Sequence, residues 1–271
     1  MGFLFVDRID ALDEHHGRGH LDLRPGHTAL PPWLVLEAVG QLAAWVAMAR
    51  TDFASRPVAA LVGEARLGAT AWRETVGGSV ELTAHLERLD GRAVLYSGAA
   101  VCGDRQIATL TRCVGPLLPV ALFDDPEVVR QRLATLRSGG GAPRDVPASF
   151  PPALDLTVDA DGVRRARLQV PDEASYFTDH FPRRRVFPAT LLAAALDALA
   201  APAAEAALGG GPARAVMLRD YKVRAFSEPG QVLDIVAEPE GVADGLATVR
   251  VSAVMDGKRT ASGRFDYRVE P

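Results

Sequence analysis

Pro31 to Ala49 reads PPWLVLEAVGQLAAWVAMA, a proline pair followed by a nearly unbroken apolar run that carries Glu37 and Gln41 as its strongly polar members. Proline suits a first helical turn, where its missing N–H would find no helical partner in any case. A helix that is apolar all the way round has no face to offer water and must be enclosed. A bilayer could enclose it, but a span needs about 20 apolar residues, and a carboxylate near its middle is costly. The stretch is therefore expected to be a helix buried inside a soluble protein, with no membrane span.

Working outward, alternating β-branched segments follow at Ser79 to Arg88, Ala93 to Cys102 and Gln106 to Val114, and read as strands. The same order returns later. Phe181-Pro182 and Pro188 lead into a second apolar helix, Ala189 to Ala201, ended by Pro202. Strand-like segments come next at Val216 to Phe226, Val232 to Pro239, Ala247 to Met255 and Thr260 to Val269, with Gly209 to Gly211 as a helix stop before them. Each half is thus a short strand, a proline-rich loop, a buried helix and several strands. Between the halves, Pro116 to Pro147 turns polar and flexible. It includes an amphipathic helix from Pro126 to Arg137, opened by Asp124 and Asp125 and followed by Gly139 to Gly141. The expected organisation is a domain over 1–118, a linker with a short helix over 119–148, and a domain over 149–271.

Composition agrees with two ordinary cores. Of 271 residues, 48% are hydrophobic and 24% charged, and the net charge of −4 gives no reason to expect nucleic acid as a partner. Cys102 and Cys113 are the only cysteines, which argues against a disulfide framework and for a reducing, cytoplasmic setting. Met1 to Val6 is apolar, but it is too short for a signal-peptide core and meets Asp7, Arg8 and Asp10. His15, His16 and His20 lack ligand spacing and sit beside Gly17 and Gly19, which reads as a flexible loop, and no metal is expected.

Laying the halves over one another on Leu30-Pro31 and Phe187-Pro188 places Leu23 opposite His180, Pro32 opposite Ala189, Glu37 opposite Ala194 and Gln41 opposite Ala198. In this register the sequence resembles the β-hydroxyacyl-carrier-protein dehydratases of type II fatty-acid synthesis. That family shows H-F-P-G-x-P-V-x-P-G before its central helix and E-A-x-x-Q within it. This chain has His180-Phe181-Pro182 with Val186-Phe187-Pro188, and Glu37-Ala38 with Gln41. Phe3 to Ile9, FLFVDRI, resembles the family's amino-terminal F-L-L-V-D-R segment, and Lys222, Phe226 and Pro229-Gly230 resemble its post-helix strand and turn. The resemblance implies an α+β double hotdog, two antiparallel sheets each wrapped around one helix as an intrachain pseudo-dimer. The family pairs a His from one subunit with an acid from the other. Here the first half keeps Glu37 and Gln41 but has Leu23 for His, and the second keeps His180 but has Ala194 and Ala198. One complementary site, His180 with Glu37, is expected to survive, and the other, at Leu23 and Ala194, to be degenerate.

The resemblance implies dehydration of β-hydroxyacyl thioesters on an acyl carrier protein's phosphopantetheine arm, or on CoA, with no cofactor. A neutral His180 can take the α-proton. A carboxyl kept protonated by apolar surroundings can assist the departing hydroxyl, and the helix neighbours of Glu37 are all apolar. Gln41 lies one turn on, to orient that carboxyl, hold the leaving water, or sit as a core amide bonded to a nearby carbonyl. The N–H of Ala189, at a helix start, is the candidate donor to the thioester carbonyl, since Pro32 has none. Arg183, Arg184 and Arg185 either meet a phosphate or the acidic face of a carrier protein, or form a solvated basic loop. Two other readings stand beside dehydration: a hotdog thioesterase in which Glu37 activates water, and a catalytically silent acyl binder or partner subunit of another dehydratase. Further homo-oligomerisation stays open.

Overall fold

The apolar run folds into helix α1, Pro32–Arg50, with Pro31 as its N-cap residue and Pro32 in its first turn. The computed structural model describes residues 3–22, 31–68, 78–139, 155–158 and 162–270. Trp33, Leu36, Val39, Leu42, Trp45 and Val46 are all buried, and Glu37, Gly40, Gln41 and Ala44 form the one half-buried side of α1. The helix stops where Thr51 Oγ1 donates back to the Ala47 carbonyl at 3.0 Å and Asp52 and Phe53 turn into the left-handed region.

The described residues divide into two compact units, Met1–Pro147 with Ala174–Arg185, and Ala148–Glu173 with Val186–Pro271. In the first, strands β1 (Arg8–Leu12), β2 (His16–Asp22), β3 (Ser55–Pro57), β4 (Leu61–Leu67), β5 (Ser79–Leu89), β6 (Ala93–Cys102) and β7 (Arg105–Pro119) surround α1. Their order is β1-β2-β5-β6-β7-β4, with β3 on the end of β7, and every pairing is antiparallel. Along β5 burial alternates strictly from Ser79 to Leu86, as a half-buried strand requires.

Two glycines set how closely α1 approaches this sheet. A Cβ on Gly98 would lie 2.5 Å from Val39 Cγ1 and 2.5 Å from the Thr83 carbonyl oxygen, and one on Gly17 would lie 2.8 Å from Val46 Cγ2. Gly17 and Gly19 therefore belong to a regular strand rather than the loop that their composition suggested. They serve close packing, since a Cβ on Gly19 would meet the Arg8 carbonyl oxygen at 2.4 Å.

The segment read as a linker is also more ordered than expected. Helix α2, Pro126–Arg137, is capped by Asp125, whose carboxylate accepts the Glu127 N–H at 2.9 Å, and it buries Val129, Leu133 and Leu136. Arg130 pins it to the end of α1, reaching Asp52 at 3.2 Å and lying over the Phe53 ring at 5.0 Å. The second correction concerns Ala174–Arg185, which the repeat assigned to the second half and which packs with the first unit.

In the second unit, α3 (Ala189–Ala207) lies against β8 (Asp155–Val158), β9 (Arg164–Gln169), β10 (Ala213–Val223), β11 (Val232–Ala243), β12 (Leu246–Met255) and β13 (Lys258–Val269). The strand order is β10-β13-β12-β11-β9-β8, again antiparallel. The helix runs past Pro202, expected to end it, to a stop at Gly209 and Gly210 with positive φ. Both units thus have the expected α+β hotdog plan of an antiparallel sheet around a buried helix. By length and composition alone α1 and α3 could cross a membrane, but each is packed against the strands of its own unit.

Gly98→Ala is expected to destabilise the protein by about 1–3 kcal/mol, because backbone as well as a side chain must move. Gly91→Ala, where a Cβ meets nothing within 4 Å, should change stability by less than about 0.5 kcal/mol. Urea unfolding of both variants checks this. The cysteines are both free, and burial pushes the Cys113 thiol up to about 12. A thiol reagent at pH 8 should therefore label partly exposed Cys102 and reach Cys113 only after unfolding, as peptide mass mapping would show.

Candidate functional site

The 3.6-residue period puts Glu37 and Gln41 on one face of α1, a turn apart, and Gln41 Nε2 donates to Glu37 Oε1 at 2.9 Å. The same nitrogen donates to the Phe3 carbonyl at 2.8 Å, while Gln41 Oε1 accepts the Phe5 N–H at 2.7 Å. Both amide hydrogens are thereby spent. Gln41 orients the Glu37 carboxyl and clamps the amino-terminal segment, which leaves it no donor for a departing water.

Phe3 carries the connection onward. Its N–H donates to Asp179 Oδ2 at 3.0 Å, and its ring meets the His180 imidazole edge-on at 5.2 Å. His180 follows a short 3-10 turn, Ser175–Thr178, and its N–H donates to the Tyr176 carbonyl at 2.8 Å. Its ring stacks on Phe181 at 4.0 Å, and Phe181 in turn lies edge-on to Phe123 at 5.0 Å. All of these residues belong to the first unit, so His180 and Glu37 are held in one packed body.

Arg183 fastens the histidine segment at its far end. Its N–H donates to the Phe123 carbonyl at 2.9 Å, and its guanidinium reaches Asp125 at 2.7 Å and the Ala121 carbonyl at 3.3 Å. Of the three arginines proposed to meet a carrier protein or phosphate, Arg183 is thus a tether. Arg184 exchanges backbone bonds with Phe181 and is half-buried, whereas Arg185 is exposed.

Two groups that the sequence did not single out stand close to this set. Arg56, on β3, lies 4.1 Å over the Phe181 ring and 5.9 Å from the Phe123 ring. Burial lowers its guanidinium to about 10, opposed by the negative charges of Asp124 and Glu37 and reinforced by Arg132. It stays charged at neutral pH. Tyr96, on β6, is pushed well above its ordinary value by burial, with the charges of Cys113 and Glu37 adding to the effect. A lone arginine or tyrosine in a strand carries no spacing signal, so nothing in the sequence separated them from surface residues.

The candidates Ala189 and Ala194 belong to the second unit. Ala189 opens α3 behind Pro188, and its carbonyl accepts the Tyr221 hydroxyl at 3.0 Å. Ala194 is buried in that helix, and Asp197 accepts the Tyr267 hydroxyl at 2.7 Å. Leu23 lies outside the described residues. His20 uses both ring nitrogens, on Asp10 at 2.6 Å and Ser79 at 3.1 Å, and His16 stacks on His85 at 4.5 Å. Among the described residues no group of three or more His, Cys, Asp or Glu could hold a metal ion. A cavity of about 540 Å³, lined by His16, Arg18, Thr83, His85 and Thr111, includes none of the residues around Glu37.

No family profile matches the chain, and no curated protein matches it. Solved structures do. A tesB protein from Mycobacterium avium subs paratuberculosis covers 97% of this chain and 96% of its own, with a TM-score of 0.58 at 9% identity. A 12:0-ACP thioesterase from Umbellularia californica covers 93% and 94%, with a TM-score of 0.56 at 10% identity. An acyl-CoA thioesterase II from Mycobacterium marinum covers 96% and 94%, with a TM-score of 0.53 at 13% identity. The chain therefore has the hotdog fold over nearly its whole length. Two of these three are named as thioesterases, and none of the three as one of the dehydratases that the motifs resemble.

Gln41→Leu should remove three hydrogen bonds and strand the Phe5 N–H and Phe3 carbonyl, at a cost of about 1–3 kcal/mol. Hydrogen exchange is expected to accelerate at Phe5 well before it does in β5 or β6.

Proposed function

We propose that this protein hydrolyses acyl thioesters, releasing a carboxylic acid and the thiol of CoA or of a carrier protein's phosphopantetheine arm. The observation that carries this reading is Glu37, a carboxylate fixed by Gln41 on an otherwise apolar helix whose negative charge is felt by the buried Arg56. A carboxylate in that form is a general base. It takes a proton from water as the oxygen attacks the thioester carbonyl, the C–S bond then breaks, and Glu37 returns that proton to the leaving thiolate. The fold shared with acyl-CoA and acyl-ACP thioesterases supports the same substrate class.

A specific observation keeps dehydration as the second reading. His180 is packed on Phe3, whose carbonyl is bonded to the same Gln41 that holds Glu37. An imidazole and a carboxyl fixed through one intermediary could divide the base and acid steps of β-hydroxyacyl dehydration between them.

One assay separates the two. With acyl- and β-hydroxyacyl-CoA offered to the wild type, free thiol is expected, and Glu37→Gln should lower its release by roughly 10²–10⁴-fold without changing the far-ultraviolet circular dichroism. His180→Ala should lower thiol release far less. Enoyl product without thiol, lost in His180→Ala, would instead assign dehydration. Absence of both products would leave an acyl-binding protein.

A further inference from the structure

Arg56 is a cation of the first unit with an orphaned donor. Among the described residues no acceptor lies within hydrogen-bond distance of its Nε, which is buried. Buried N–H groups are almost always paired, and a charged one without an acceptor is costly enough to need a reason. The Phe181 ring, 4.1 Å from the guanidinium carbon, supplies a cation–π contact but no oxygen or nitrogen acceptor for that N–H.

The charges around Arg56 restrict what could complete it. The charges that act on Arg56 are those of Asp124, Arg132 and Glu37, and the neighbouring Arg183 and Asp125 neutralise each other. With Arg56 itself counted, cations and anions already balance. Asp124 is buried and accepts the Asp125 N–H at 2.8 Å, with Arg132 at 3.6 Å. A permanently anionic ligand would leave the set with excess negative charge in a poorly solvated place. An oxygen that is neutral at rest and gains negative charge only during reaction fits the balance better. A thioester carbonyl is such an oxygen, and it would have to lie beside Glu37 for hydrolysis to proceed.

We infer that Arg56 is a catalytic residue, which donates an N–H to the thioester carbonyl oxygen and stabilises the oxyanion formed on it. This rests on the proposed thioester substrate but not on which bond breaks, because an enolate intermediate would place charge on the same oxygen. As water adds, the C=O π electrons move onto oxygen and are held by the Arg56 N–H. They return when the C–S bond breaks, and Arg56 itself gains and loses no proton. The contact with Phe181, adjacent to His180, restrains the guanidinium so that little reorganisation accompanies the reaction.

The test pairs turnover with two non-hydrolysable acyl-CoA analogues: a thioether, which lacks the carbonyl, and a trifluoromethyl ketone, whose hydrated carbonyl mimics the tetrahedral intermediate. Arg56→Met is expected to lower kcat by roughly 10²–10³-fold with KM within a few-fold. It should weaken the ketone by a similar factor and leave thioether affinity unchanged. Arg56→Lys, which keeps the charge but loses the planar fork, should recover only part of the loss. Unchanged ketone affinity in Arg56→Met would overturn the inference. So would an equal loss for ketone and thioether, since that marks a structural support for the Phe181 segment. If the wild type releases no thiol, the hydrolysis reading fails, and Arg56 is still judged by the contrast between the two analogues.

Discussion

The amide of Gln41 occupies a half-buried place where a polar group is tolerable only if its hydrogens and its oxygen find partners. It sits on a helix enclosed by its own sheet, one turn from a carboxylate, and it meets that condition with three bonds: one to Glu37 and two to the backbone of the amino-terminal segment. The position of Phe3 follows from those bonds. The seat of the histidine segment follows in turn, because Phe3 holds Asp179 through its N–H and His180 through its ring. Partnering that half-buried amide thus fixes the positions of both Glu37 and His180.

The close approach of α1 to its sheet serves the same end. Gly17 and Gly98 let Val46 and Val39 press onto the strands. Polar positions on α1 are then confined to the side where Phe3, Arg56 and Tyr96 act on Glu37 and Gln41. A carboxylate in such a setting has few neighbours, and each one counts. Arg56 supplies positive charge, and Tyr96 supplies a phenol that burial holds protonated far above neutral pH.

Much of this plan was legible in the chain. α1 and most strands announced themselves through periodicity, and the repeat aligned the two helices. Glu37, Gln41 and His180 stood out because acids, amides and imidazoles are unusual where the pattern is apolar or proline-rich. Failures had physical causes. Gly17 and Gly19 looked like a loop because composition cannot distinguish a glycine that bends the chain from one that makes room for a helix. Pro202 looked like a terminator, yet α3 continues through it. Pro116 to Pro147 looked like a tether because the apolar stripe of α2, Val129, Leu133 and Leu136, is narrow and its polar face wide. Arg56 left no trace, since its meaning lies in which rings and carboxylates surround it and not in its neighbours along the sequence.

The membership of Ala174–Arg185 in the first unit means that the order of the chain and the division into packed bodies do not coincide. A break anywhere between residues 140 and 154 would produce an amino-terminal fragment retaining Glu37 and Gln41 but lacking Asp179, His180, Phe181 and Arg183. Phe3 would lose its acceptor, Asp125 its arginine and Arg56 its ring. In the intact chain those partners are supplied at the effective concentration of a tethered group, which a free second fragment would have to match by binding alone. The covalent connection is therefore a thermodynamic component of the site, and two genes encoding the halves separately would face a concentration dependence that the single chain escapes.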